Sequence, residues 1–252
     1  VSAVTAARLA AQEEGVEDLL AFATSAVRDA TDSAEVLSAV RERAGVDLLV
    51  LPGKDEARLT FLAVRRWFGW SAGRLAVFDI GGGSLAAGLH EEPEVALSLP
   101  LGAGRLTRER LSGDPPSAAQ REAVQAYARK EIEAVAPTLL AGGPVDRGVA
   151  TSKTFRSLAR LDGAAAYAQG PRVPRRLRRS GLERIIRELA SLTVEQRAEL
   201  PGVSPSRAEQ LLAGALVAQA ALDALELDEV SVCPWAMREG VILRRLDWLA
   251  GN

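Results

Sequence analysis

Apolar residues first recur at helical spacing: Val1, Val4 and Ala7 within VSAVTAARLAAQEEG read like the middle of a helix. Two apolar runs of strand length follow, EDLLAFATS over 17–25 and DLLVLPG over 47–53. Between them SAEVLSAVRERAG has the length of one helix, with Ser33 as its expected cap. Strand, helix, strand at these lengths predicts a βαβ unit and hence a parallel pair. DEARLTFLAVRRWFGW then places Leu59, Leu62 and Arg66 on one helical face and ends at Gly69.

From Leu75 the period shortens to two. LAVFD, SLAAGL and VALSLPL, separated by the glycines 81–83 and by the Glu91-Glu92-Pro93 turn, predict an antiparallel meander. After the 113–116 turn, Ser117 and Gln120 form a capping box before a helix with the stripe Val124, Ala128, Ile132, Val135 and Leu139. DRGVATS reads as a strand and TFRSLARL as a helix start. Behind the 170–181 segment two helices are expected, one after Thr193 and Gln196 and a long alanine-rich one after Ser204-Pro205. DEVSVCP is a strand and AMREGVILRRLDWL a closing helix. The pattern is α/β, without internal repeats, and any domain boundary falls within or just after the 56–70 helix.

Composition narrows the chemistry more than the fold. With 48% hydrophobic and 25% charged residues, the 252-residue chain can bury a sizeable core. The net charge of −2 excludes little, but the 31 basic residues are nearly all arginine, and five lie within 172–179. One cysteine, Cys233, excludes an internal disulfide and fits a reducing compartment. One histidine, His90, excludes a histidine-ligated zinc site and leaves a carboxylate-bound hard cation as the metal to expect. No stretch reaches the roughly 18–20 apolar residues of a membrane span, and no signal-peptide pattern opens the sequence. The expectation is a cytoplasmic protein without a membrane partner.

The segment VFDIGGGSLAAG, residues 77–88, carries the main candidate site. GGGSLA matches the dinucleotide pattern G-x-G-x-x-A, but that motif needs a helix directly after the glycines, and here the pattern continues as a strand. The missing Lys-Ser or Lys-Thr excludes a Walker loop. A strand ending in aspartate, a glycine turn and an antiparallel return strand together resemble the phosphate loop of the actin-like ATPase folds. In it Gly81, Gly82 and Gly83 let backbone N–H groups approach phosphate oxygens, Ser84 adds a hydroxyl, and Asp79 can hold Mg²⁺ or its waters. The plainer alternative is an ordinary hairpin turn.

Three further stretches hold candidates, each with a plainer reading. In FATSAVRDATDS, Thr24, Ser25 and Arg28 follow a strand and could meet a phosphate, or form a helix cap and a surface arginine. In LPGKDEARLTF, Glu56 could be a general base, or a first-turn glutamate favoured by the helix dipole. In GVATSKTFRSLARL, Ser152, Lys153 and Thr154 occupy a second strand-to-helix turn, with capping as the alternative.

Taken in order, ATSAVRDAT, GKDEARLTFLAVRRWFGWSAG, DIGGGS, LSLPLGAGRLTRERL, TSKTFRSLARL and PWAMREGVILRRL resemble the exopolyphosphatase and guanosine pentaphosphate phosphohydrolase family over essentially the whole chain. The resemblance implies two ribonuclease-H-like (actin-like ATPase, ASKHA) domains: 1–60 a remnant of the first, 61–252 the second, with the last helix packing back on the first. It implies Mg²⁺-dependent hydrolysis of a terminal phosphoanhydride in inorganic polyphosphate or guanosine pentaphosphate, a homodimer, and no nucleic-acid partner. Carried over by position, Glu56 is the base that activates water and Asp79 the metal-binding acid. Arg28, Gly81, Gly82, Gly83, Ser84, Ser152, Lys153 and Thr154 face phosphate.

Two departures from the family pattern stand out. An earlier Asp-x-Gly-Ser-Asn-Ser/Thr loop has no counterpart, which with the start at Val1 leads to the expectation of a truncated first domain. Ala86 stands where the family has a glutamate, as though SLAAGL had lost two residues. The expectation is therefore an exopolyphosphatase-type hydrolase that is impaired. The competing reading is a non-catalytic homologue that binds or senses polyphosphate or a nucleotide, with the 172–179 arginines attaching the polyanion unless they are simply a solvated face. A non-functional gene fragment is the third.

Overall fold

A computed structural model describes residues 1–81 and 83–251, with the side chain of Ser84 also outside the description. The chain divides into two compact units, Val1–Glu56 and Ala57–Asn252.

The first unit contains α1 (Ser2–Glu13), β1 (Phe22–Ala23), α2 (Ser25–Arg28), α3 (Ser33–Ala44) and β2 (Leu49–Val50). β1 and β2 pair in parallel, Phe22 opposite Leu49 and Ala23 opposite Val50, as the strand–helix–strand pattern requires. Ser33 is the first helical residue of α3 rather than its cap; Asp32 occupies the cap position, and Gly45 closes the helix in a left-handed conformation, φ 62°. The core is small: Val40, Ala44 and Val46, with Val4, Ala21 and Leu48 packed against them.

The helix α4 (Gly53–Phe68) contains the unit boundary. The narrow face read from Leu59, Leu62 and Arg66 underestimates it. Residues 60–65 are all buried, Leu59 is half-buried, and Arg66 sits at the rim with its guanidinium on Glu91 (2.5 Å) and Asp247 (2.9 Å). Arg65 lies within the buried stretch because its guanidinium bonds the carbonyls of Gly69, Gly73 and Gly88.

The rest of the second unit runs β3 (Leu75–Asp79), β4 (Ser84–Gly88), β5 (Val95–Ser98), α5 (Ala103–Arg110), α6 (Ala118–Leu140), β6 (Arg147–Thr151) and α7 (Ser152–Leu161). It continues with β7 (Arg176–Arg178), α8 (Arg179–Leu189), α9 (Val194–Ala198), α10 (Pro205–Ala208), α11 (Leu211–Ala224), β8 (Glu229–Val232) and α12 (Met237–Gly251). Among the described residues six strands form one sheet in the order β5-β4-β3-β6-β8-β7. β3, β4 and β5 are the predicted antiparallel meander; β6 runs parallel to β3, β8 parallel to β6, and β7 antiparallel to β8.

Strand alternation sorts β3 between two cores. Ala76 and Phe78 face the larger one, built with α5, α6, α7, α8 and α11, while Leu75 and Val77 face Ala57, Phe61 and Val64 of α4. The Ser117–Gln120 capping box is present, and the buried stripe of α6 takes Ala136 where Val135 was expected, leaving Val135 half-buried. The helix behind Ser204-Pro205 is two, α10 and α11, and α11 is buried from Leu211 through Ala218. Burying each of its leucines contributes about 1.5–3 kcal/mol. β7 and α8 went unread from sequence, because arginines at the exposed strand positions hide the alternation around the single buried Leu177. Among the described residues no helix is long and apolar enough to cross a membrane.

Candidate functional site

In the first unit the short helix α2 that follows β1 ends on Arg28, and the first turn of α4 carries Glu56. Arg28 Nη1 donates to the Leu51 carbonyl (2.8 Å) and to Glu56 Oε1 in a short ion pair, while its Nε donates to Asp29 (3.0 Å). Burial alone would lower the Arg28 pKa, but the hydrogen bond and charge of Glu56, helped by Asp29, raise it overall. Glu56 is 7% exposed, so its carboxylate is fixed between the helix that carries it and a cation. Arg28 thus orients Glu56 through one nitrogen while the Leu51 carbonyl fixes the guanidinium. Thr24 takes the cap position of α2 without a side-chain capping bond.

In the second unit Asp79 ends β3, and both carboxylate oxygens are engaged. Oδ1 accepts the Gly81 N–H (2.8 Å) and Oδ2 accepts the Thr151 hydroxyl (3.0 Å). The Gly81 N–H, read from sequence as part of a phosphate cradle, thus turns to Asp79. Gly83 has φ +73°, and a Cβ there would fall 2.3 Å from the Leu99 carbonyl oxygen. Only glycine permits both the turn and that approach. The loop is pinned from one side: Leu99 N–H bonds the Gly83 carbonyl (2.8 Å) and Ala103 N–H bonds the Ile80 carbonyl (3.2 Å). Gly82 and the Ser84 side chain lie outside the described residues.

The second strand-to-helix turn divides. Ser152 stands beside the loop, its Cβ 3.7 Å from where a Cβ on Gly81 would be, and it holds φ 83°, an uncommon conformation for a residue other than glycine. Lys153 is exposed. Thr154, 2% exposed, turns the other way: its Cγ2 is the atom a Cβ on Gly214 would strike at 2.4 Å, so it packs α7 on α11. Ala86, 3% exposed, lies opposite Val77 in β4 and packs in the apolar cluster with Ala57, Phe61 and Val64. Burial pushes the Cys233 thiol up to about 12, which rules it out as a nucleophile at neutral pH.

The 172–179 arginines are largely used inside the fold. Arg175 bonds the carbonyls of Ala165, Ala166, Gly170 and Val173, and Arg178 grips both oxygens of Asp162 (3.0 Å each). Arg179 bonds the Leu227 carbonyl (2.9 Å) and Arg176 pairs with Glu229 (2.7 Å). Four of the five arginines thus have partners within the fold, while Arg172, Arg176 and Arg178 remain exposed.

Thr151 escaped the sequence reading. The available signal was that LAVFD and RGVAT are parallel strands of equal length, each ending on a polar residue.

The model of the Ppx/GppA phosphatase family matches residues 1–248. The chain belongs to that family. Among its Ppx/GppA relatives, Exopolyphosphatase 1 of Mycobacterium tuberculosis (strain ATCC 25618 / H37Rv) is 57% identical over 235 residues, covering 92% of this chain and 68% of that protein. Exopolyphosphatase 1 of Mycobacterium leprae is 57% identical over 239 residues, 94% of this chain and 70% of the relative. The crystal structure of the Aquifex aeolicus Ppx/GppA family member matches with a TM-score of 0.80 at 26% identity, covering 100% of this chain and 80% of that one. An exopolyphosphatase structure from Cytophaga hutchinsonii gives a TM-score of 0.86 at 21% identity, over 98% and 80% of the two chains, a likeness of fold. The fold is the mixed α/β, actin-like fold of Ppx/GppA proteins.

Proposed function

We propose that the chain hydrolyses the terminal phosphoanhydride bond of inorganic polyphosphate, with Mg²⁺ as its metal. The observation that carries this is Asp79, gripped at both oxygens at the end of β3 above a glycine turn, in a chain 57% identical to mycobacterial proteins named Exopolyphosphatase 1. Phosphoryl transfer asks a protein for positioning and charge stabilisation rather than covalent work. The donor set fits Mg²⁺, which keeps several waters and takes one or two carboxylates plus substrate phosphates rather than a protein cage. Asp79 would hold it; each oxygen has spent one lone pair on Gly81 or Thr151 and keeps another. Among the described residues no cluster of three or more His, Cys, Asp or Glu competes for that role. Bound there, the metal supplies neutralisation of phosphate charge.

Glu56 accepts the proton of the attacking water, oriented by Arg28. Guanosine pentaphosphate presents the same bond and is the proposed second substrate; the proposed working state is a cytoplasmic homodimer. Turnover is proposed to be reduced because the glutamate of the family pattern has no counterpart here, Ala86 packing in the apolar cluster instead. Phosphate release from polyphosphate in Mg²⁺, measured beside the Mycobacterium tuberculosis relative, tests the hydrolase reading and the reduced turnover; release from guanosine pentaphosphate and light scattering test the second substrate and the dimer. Glu56→Gln is expected to lower the rate by about 10²–10⁴; it also weakens the ion pair with Arg28, so its rate is compared at a temperature where circular dichroism shows it folded. No release by the unaltered chain removes the hydrolase reading, an undiminished rate in Glu56→Gln removes Glu56 as the base, and a rate equal to the relative's removes the reduced turnover.

A further inference from the structure

We propose that Thr151 is a positioning residue for Asp79, fixing the plane of the carboxylate in which a divalent cation is received. The proposal rests on the reading that Asp79 is the metal-binding acid. Asp79 and Thr151 are the last residues of neighbouring parallel strands and are direct partners in the ladder. Thr151 has no exposed surface. Its hydroxyl has one proton and two acceptors in range, Asp79 Oδ2 at 3.0 Å and the Phe78 carbonyl at 3.4 Å. The shorter, charge-assisted bond to the carboxylate is the one it makes.

With Gly81 N–H on Oδ1 at 2.8 Å, the carboxylate is clamped by donors from two separate elements and cannot rotate about its last bond without breaking one. The next residue reinforces this. Ser152 takes φ 83°, a conformation that persists in a non-glycine residue only where its surroundings over-determine it, and it does so directly beside Gly81. The corner between β6 and α7 is thus held against local preference where it delivers the hydroxyl to Asp79.

Hydrogen-bond partners of metal ligands typically contribute about 10–100-fold in metal affinity. The test uses the full chain with Thr151→Val, which keeps shape and loses the hydroxyl, and Thr151→Ser, which keeps the hydroxyl. Calorimetric titration with Mn²⁺ is read alongside the Mg²⁺ dependence of phosphate release and the melting temperature. Thr151→Val is expected to weaken Mn²⁺ binding and raise the half-maximal Mg²⁺ concentration roughly 10-fold. Polyphosphate KM at saturating Mg²⁺ should stay unchanged, and Thr151→Ser should remain near the parent.

Parent-like metal binding in a folded Thr151→Val overturns the proposal and leaves Thr151 as a tie between strands. So does weakened binding in Thr151→Ser equal to that in Thr151→Val. Asp79→Asn separates the two layers: if it binds Mn²⁺ like the parent, the metal reading and this proposal fall together. If Mn²⁺ binding depends on both Asp79 and Thr151 while no phosphate is released, the positioning role stands and the hydrolase reading falls.

Discussion

At Ser152 the backbone holds a left-handed conformation that costs a non-glycine residue about 1–3 kcal/mol. Glycine would remove the strain while adding about 0.5–1 kcal/mol of unfolded-chain entropy to be overcome. Ser152→Gly is therefore expected to stabilise the protein by about 1 kcal/mol, a rise of about 2–4 °C in the melting temperature. An unchanged or lower melting temperature would mean that the weak bond from Phe155 N–H to Ser152 Oγ (3.5 Å) offsets the strain. Residue types alone did not reveal this site fully. Asp79 and the glycines were legible because strand-ending acid plus glycine turn is a local pattern. Thr151 was not, since its partner is 72 positions away and only the register of two strands joins them. Thr154 read like its neighbours Ser152 and Lys153, yet one step along a helix turned it into the core.

Among the elements, those legible from sequence were the ones with an uninterrupted period: the meander, the capped α6 and the parallel β1–β2 pair. β7 was missed because arginines flank its single buried residue, Leu177; α8, whose Leu182, Ile185 and Leu189 line one buried face, was passed over within the arginine-rich stretch; and α4 was misjudged because six consecutive residues, 60–65, are buried and its apolar face is wider than three positions suggest. Helix packing supplies a sharp test. A Cβ on Gly240 of α12 would lie 1.9 Å from the Leu59 carbonyl oxygen of α4, a backbone atom that cannot swing away. Gly240→Ala should cost about 1–3 kcal/mol by forcing the two helices apart. The edge-on Trp67–Trp235 pair, with ring centroids 5.2 Å apart, links α4 to the segment leading into α12. Near-ultraviolet circular dichroism should therefore lose intensity in the same variant, and an unchanged spectrum and melting temperature would refute the tight crossing.

For the whole molecule, acid stability has an identifiable contributor. The hydrogen bond from Arg74 holds the Glu94 carboxyl below its usual range, against burial, which would raise it; the Arg74 charge adds to the lowering. A depressed folded-state pKa contributes stability above the unfolded value, near 4.5, and that contribution is lost as pH falls through the folded value. Urea midpoints of the parent and Glu94→Gln should thus differ at pH 6 and converge as pH drops well below 4.5. A gap that widens on acidification would show the sign to be wrong. Arginine has the same structural habit elsewhere. The stretch between α7 and β7 has almost no regular structure and contains two glycines, Gly163 and Gly170, which would mark it as a tolerant place to splice in a tag or a guest domain. Arg175 says otherwise: one guanidinium makes five hydrogen bonds to four carbonyls of that stretch, and its own carbonyl accepts from Val232 (2.8 Å). A protein engineer should treat it as a knot tied by a single side chain, and cut the chain elsewhere.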